Sequence, residues 1–332
     1  MPTKRIIILG SERSGTNLLR VLLGNHSLIS APVAVHFFNT FHPFISSYGD
    51  LSLPHNSLRL VEHFKQSANH VYTNWNLNMT GEAIVENSPV NSFETAFDAM
   101  YKAKTVEDNK QHYVCKDNDL FHFIDLIENL KSNESQNFYI YLYRDPRDHA
   151  VSWLKTPLFL HTVFDIAVKW NDEQNAIRRC KETIATHDVK YEDLIRDPER
   201  IMKGILEYVS LPIESSCFGT DSQNSESSGN ELWKNLSKPI LKENQKKLRK
   251  KLSSTEINMV ETICKLNMER LEYELDTKAN WRNPFGFYRR FILPVHRKRK
   301  KRRHEAFYNE KMSDLKSKLD FLEQLKKEVT NG

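Results

Sequence analysis

ILGSERSGTN, residues 8–17, follows the apolar run Ile6-Ile7-Ile8-Leu9 and leads into Leu18-Leu19-Arg20-Val21-Leu22-Leu23. An apolar strand, a loop with glycines five apart (Gly10 and Gly15) and an apolar helix form the local pattern of a phosphate-cradling loop. In such a loop the backbone N–H groups and the helix N-terminus attract an anion. The lysine expected after the second glycine is missing. Thr16 and Asn17 stand there, and the nearest cation, Arg13, precedes Gly15.

Further along, AIVENSP (83–89), HYVCKDND (112–119), NFYIYLYRDPRD (137–148) and residues 187–191 each read as a short buried strand ending in polar residues. Helical patterns fall at 57–70, 92–102, 119–131, 146–155, 161–184, 192–209 and 239–275. Strands alternating with helices predict an α/β fold, a parallel sheet flanked by helices on both faces. Ligands of such sheets bind beyond the carboxyl ends of the strands. This places Gly10 to Asn17, Lys116, Asp117 and Arg144 along one rim. SAPVAVHFFNTFHPF (30–44) has no clean period and reads either as a substrate wall or as a buried aromatic cluster.

The chain has 332 residues, 39% hydrophobic and 27% charged, the composition of a globular enzyme. Its four cysteines have no C-x-x-C spacing, which points away from a zinc site or a disulfide framework and toward a reducing, cytoplasmic compartment. The apolar start is too short for a signal segment or a membrane span. The net charge of +5 is local: residues 289–303 hold nine Lys or Arg and no acid, and without them the remainder is about −4. Three parts are therefore expected: a domain over 1–282, a basic aromatic linker over 283–304, and an amphipathic helix over 305–332. The basic segment is suited either to peripheral contact with an anionic membrane or to a solvated linker. In the helix, Met312, Leu315, Leu319, Leu322, Leu325 and Val329 recur at threes and fours. It could dock on the body or pair with a second copy.

Asp145 is a natural N-cap, with Pro146 in the first turn and Asp148 at the third position, so these residues have a structural explanation. Arg144 gains nothing from capping. A guanidinium at a strand's carboxyl end is a natural fork for phosphate, the alternative being a surface ion pair. Ser152 lies two turns further on.

GSERSGTNLL together with YLYRDPRDHAVSW resembles the 5′-phosphosulfate loop and 3′-phosphate motif of sulfotransferases that use 3′-phosphoadenosine 5′-phosphosulfate (PAPS). The spacing of Arg144 and Ser152 equals that of the family's Arg and Ser pair. VKYEDLIRDP (189–198) is similar to the family's segment near the adenine and brings in Tyr191. LWKNLSKP (232–239) resembles a later element faintly, and ESSG (226–229) stands where the family has Arg-Lys-Gly. The resemblance implies a three-layer P-loop-like domain with a helical C-terminal extension. It further implies in-line sulfuryl transfer from PAPS to a hydroxyl, on a carbohydrate or glycolipid, without a metal. In this family the cation precedes the Ser-Gly-Thr, so Arg13 takes that place. Ser14, Gly15, Thr16, Asn17, Arg144, Ser152 and Tyr191 would hold the nucleotide, and Lys116 would neutralise the transferring group.

An acceptor hydroxyl needs a base. The family's cytosolic branch has Lys-Thr-His where Lys116-Asp117-Asn118 stands here. His36 is the first candidate, with a suitable reference pKa near 6.5; its alternative role is a core or wall histidine. Glu86 and Asp117 follow, and His42 and His112 are weaker. Two other functions compete: a nucleotide kinase or NTPase, disfavoured by the missing lysine, and a noncatalytic nucleotide-binding scaffold at a membrane.

Overall fold

In a computed structural model, the structure describes residues 2–132, 135–155, 162–219, 251–280, 294 and 313–331. The first strand, β1 (Thr3–Leu9), is followed by α1 (Thr16–Gly24), the two-residue β2 (Ile29–Ser30) and α2 (Phe37–Phe41), which continues as a 3-10 turn over His42–Tyr48. Three helices come next: α3 (Pro54–Asn69), α4 (Gly81–Asn87) and α5 (Phe93–Glu107). Then come β3 (His112–Cys115), α6 (Ile124–Glu128), β4 (Ser135–Tyr143), α7 (Pro146–Leu154), α8 (Val163–Cys180) and β5 (Thr186–Lys190). The remainder is helical, with α9 (Tyr191–Arg196), α10 (Pro198–Tyr208), α11 (Ser254–Arg270) and α12 (Ser313–Asn331).

The five strands form one sheet in the order β2-β3-β1-β4-β5, every pairing parallel. Strand β1 is central because its apolar run serves both faces. Ile6 and Ile8 pack into a cluster with Leu19, Leu22, Met202 and Ile205 from α1 and α10. Ile7 and Leu9 point the other way, into a cluster with Phe37, Phe64, Phe97 and Tyr101 from α2, α3 and α5. This is the period-two alternation of a strand buried on both sides. The switch point lies between β1, whose connection runs toward β2, and its neighbour β4, whose connection runs the other way to β5.

Two segments differ from expectation. AIVENSP is helix α4, with Thr80 Oγ1 accepting the Ala83 N–H at 3.2 Å as its cap. Three apolar residues in a row cannot separate strand from helix, and the cap decides. Glu86 is therefore exposed on a helix that packs on α3 and α5, away from the rim. The single helix expected at 192–209 is two, α9 and α10, divided at Asp197-Pro198. Pro198 opens α10, and Asp197 closes one helix and caps the next.

The segment 30–44 proves to be aromatic core: Phe37, Phe38 and Phe41 are fully buried, and Phe37 stacks on Phe64 at 4.5 Å. Helix α12 docks on this core, burying Leu325 and Val329 beside Phe321 and Leu322, while Leu319 of the expected stripe is exposed. Met312, the basic segment and the elements at 226–239 lie outside the described residues. Among the described helices none is long and apolar enough to cross a membrane.

Candidate active site

The loop between β1 and α1 is built for an anion. Gly10 passes so close to β4 that a Cβ there would lie 2.4 Å from the Leu142 carbonyl oxygen. Arg13 and Gly15 take left-handed backbone, with φ of 66° and 97°. Gly15 caps α1 without a side-chain acceptor, so first-turn N–H groups are left to a ligand. Three side chains fix consecutive loop residues. Gln174 Nε2 donates to Ser11 Oγ at 2.9 Å, His149 Nε2 bonds the Glu12 carbonyl at 2.6 Å, and Arg144 Nη1 donates to the Arg13 carbonyl at 3.0 Å.

Arg144 directly follows β4 and is only 6% exposed, so the surface ion pair considered for it is not what it forms. Its guanidinium lies 4.4 Å over the Tyr191 ring, and that ring packs on Gly15, where a Cβ would meet it at 2.3 Å. Asp145 acts as cap, accepting the Arg147 N–H at 2.9 Å. Ser152 sits half-buried on α7. Arg13 Nε, Ser14 Oγ and Arg144 Nε are buried without hydrogen-bond partners among the described residues. Burial and the Arg144 charge together lower the Arg13 pKa. Two neighbouring guanidiniums, each with a buried idle Nε, at the start of α1 are costly unless an anion joins them.

The opposite wall comes from the end of β3. Lys116, 7% exposed, donates to Asn118 Oδ1 at 2.7 Å, and Asn118 Nδ2 bonds Glu12 of the loop. Burial lowers the Lys116 pKa, countered by Glu12 and Asp117. Asp117 accepts the N–H groups of His36 and Phe37 at 3.0 Å each, capping α2, and burial pushes its carboxyl up to about 6. His36, a left-handed residue at the start of α2, keeps 32% of its side chain exposed, against 1% for Asp117. Burial, with Lys116 and Lys318 adding, holds its pKa well below 6.5, so the ring is neutral at pH 7 and a weaker base than a free imidazole. The Asn118 N–H points to His36 Nδ1 at 3.3 Å.

The remaining base candidates lie elsewhere. The His42 ring is edge-on to Phe93 and Phe123, at 5.3 and 5.2 Å. His112 starts β3 at the far end of the sheet, accepting the Lys4 N–H at 3.2 Å, with its pKa pushed down to about 4 by burial.

A sequence model described as the sulfotransferase family matches residues 5–215, which takes in the loop, β3, the Arg144 helix and Tyr191. The chain belongs to the sulfotransferase family. The solved sulfotransferase domain of the olefin synthase of Synechococcus PCC 7002 is 20% identical, with a TM-score of 0.56 over 82% of this chain and 96% of that one. The sulfotransferase domain from the curacin biosynthetic pathway is likewise 20% identical, with a TM-score of 0.53 over 83% of this chain and 99% of the other. These two likenesses establish the P-loop-like sulfotransferase fold. No curated protein matches the sequence.

Within this sulfotransferase fold, the structure brings Arg13, Ser14, Gly15, Arg144 and Tyr191 together on one side and His36, Lys116 and Asp117 on the other. Four contributors escaped the sequence reading. His149 was in plain view within RDPRDHAVSW, one turn from Ser152, and Gln174 and Asn118 carry no motif of their own. Lys318 comes from α12, outside the matched region.

Proposed function

We propose that this chain moves a sulfuryl group from PAPS to an acceptor hydroxyl, on a carbohydrate or glycolipid. The observation that carries the reading is the convergence of half-buried Arg13 and buried Arg144, each with a buried, unpartnered Nε, on the loop where Ser14 Oγ is also unpartnered. These residues fit the donor: Ser14, Gly15, Thr16 and Asn17 would hold the 5′-phosphate, and Arg144 with Ser152 the 3′-phosphate. Tyr191, under the Arg144 guanidinium, adds an apolar face for the nucleotide.

PAPS supplies an activated sulfuryl group on a phosphate leaving group. In the transfer the sulfur–oxygen bond to that phosphate breaks, and one to the acceptor oxygen forms. Arg13 and the first-turn N–H groups stabilise the charge that grows on the departing phosphate oxygen. Lys116 balances the transferring group from the other side. His36, half open beside fully covered Asp117, takes the acceptor proton. The ring's Nδ1 accepts the Asn118 N–H at 3.3 Å and lies 3.9 Å from Asp117 Oδ1. Asp117 is thus a positioning residue: both its oxygens already accept N–H groups of α2.

The domain over 1–282 houses this chemistry, and α12 completes it. Cys115, Cys217 and Cys264 are buried in three separate clusters, which supports a reducing, cytoplasmic setting. The basic segment over 283–304 supplies the peripheral membrane contact in this reading. The test is transfer of radiolabelled sulfate from PAPS into a lipid and polysaccharide extract, with wild type, Arg13→Ala and Arg144→Ala compared after each is shown to be folded. Labelling by wild type that both variants lose is expected. Equal labelling by all three, or magnesium-dependent ATP hydrolysis without PAPS binding, overturns the reading.

A further inference from the structure

Lysine side chains on docked helices ordinarily run along the surface and leave the ammonium in water. Lys316, Lys326 and Lys327 on α12 do so. Lys318 does not: it is 4% exposed, turned into the body between α12 and the segment after α3. A buried lysine is normally paired. Among the described residues Lys318 has no ion pair within 4 Å, and its one hydrogen bond, to Thr73 Oγ1, is stretched to 3.5 Å. Its ammonium stands 5.7 Å from the centre of the Tyr72 ring. An ammonium has three donors, and here they go largely unused.

Its surroundings place it at the acceptor side of the site. Its charge acts on Asp117 and His36, at the start of α2, and on His70, whose ring stacks on Phe321 of α12 at 5.5 Å. Tyr72, beneath it, is close enough to act on Arg13 of the anion loop. The nucleotide's own charges are already met by Arg13, Arg144, Lys116 and the loop N–H groups. A further buried cation, held against Thr73 and Tyr72 with its charge reaching the base, is left over for the other substrate. Holding it costs stability, since burial takes its pKa down to about 8 and only Asp117 opposes this.

We propose that Lys318, carried into the site by the C-terminal helix, binds an acidic group, a carboxylate or sulfate, on the molecule whose hydroxyl is presented to His36. The acceptor is then an anionic hydroxyl compound, and α12 is a wall of its site. Anchoring by Leu325 and Val329 fixes the helix that carries the ammonium. This inference rests on the sulfotransferase reading and adds to it the acceptor's charge.

The experiment uses the full chain, labelled with 13C at the lysine ε-carbons and saturated with the product nucleotide 3′-phosphoadenosine 5′-phosphate (PAP). The Lys318 resonance is assigned by its loss in Lys318→Gln. Methyl β-glucuronide and methyl β-glucoside, alike except for the carboxylate, are titrated in. The glucuronide is expected to shift the resonance and raise its titration midpoint by a unit or more, while the glucoside leaves both in place. In turnover, Lys318→Gln is expected to raise KM for the glucuronide tenfold or more with kcat and PAP affinity kept, and Lys318→Arg to restore part of the loss. No shift with either sugar, or the same shift with both, overturns the inference while PAP binding keeps the sulfotransferase reading. Failure of the wild type to bind PAP removes both.

Discussion

The Asp117 carboxylate reaches His36 twice: it accepts that residue's backbone N–H at 3.0 Å, and its Oδ1 lies 3.9 Å from the imidazole Nδ1. One side chain thus sets where α2 begins and places a carboxylate beside the ring. Asp117 must be ionised to do so. Burial raises its pKa to about 6 against the contributions of Lys116 and Lys318, so kcat/KM for the acceptor is expected to climb with pH through that value. Asp117→Asn should lower kcat and remove the acid limb between pH 5 and 7. His36→Gln should lower kcat by roughly 10²- to 10⁴-fold and leave PAP affinity unchanged. An acid limb that persists in Asp117→Asn assigns the titration to another group.

The two arginines should separate in a binding experiment. In the proposed mechanism Arg144, stacked on Tyr191 and bonded to the loop, holds the ground state. Losing a charge-assisted contact costs about 1.5–3 kcal/mol, so Arg144→Ala should weaken PAP binding by roughly 10- to 150-fold by calorimetry. In the proposed mechanism Arg13 meets charge that develops during transfer. Arg13→Ala should therefore cut kcat by roughly 10²-fold or more, with a smaller effect on PAP affinity. The reverse pattern would exchange their roles.

Gly15 has two independent reasons to be glycine, and they can be told apart. Its φ of 97° is strained for any L side chain, and a Cβ would meet the Tyr191 ring at 2.3 Å. Gly15→Ala is expected to lower the Tm and to weaken PAP binding at least tenfold. The overpacking part is about 1–3 kcal/mol. Adding Tyr191→Ala should recover that part of the stability and leave the backbone part, about 1 kcal/mol, in place. Full recovery would mean that the backbone is unstrained.

The sheet was legible because Ile6–Leu9 and Phe138–Leu142 are uninterrupted apolar runs between helical patterns, which only a strand covered on both faces explains. Two-residue β2 was too short to register, and the run at 83–85 was equally suited to either structure until its cap was seen. The anion loop was legible for a different reason: its chemistry is local, held in residues 10–17 and in the strand end at Arg144. The acceptor side was not. Asp117 reads as a candidate base, and its two helix-capping bonds appear only in the structure, while Lys318 reads as one lysine among many on an amphipathic helix. Only packing brings it beneath the surface, and no spacing in the sequence records that.

The buried ammonium of Lys318 makes a prediction about stability that needs no substrate. Its pKa falls from 10.5 to about 8 on folding, so the folded chain binds fewer protons than the unfolded chain between those values. Stability therefore rises with pH from about 8 to 10.5, and below 8 the charged lysine carries a cost on the order of 3 kcal/mol. Lys318→Met removes the charge and keeps the volume. It should raise stability to urea at pH 7 by an amount of that order, with the gain shrinking through pH 8 and gone above pH 10.5. Leu325→Ala, which leaves a cavity where α12 meets the core, should instead lose about 2–5 kcal/mol at every pH. A Lys318→Met chain less stable than wild type at pH 7 would show the lysine to be held by interactions that repay its burial. A gain paired with lost acceptor binding is the signature of a residue kept for function.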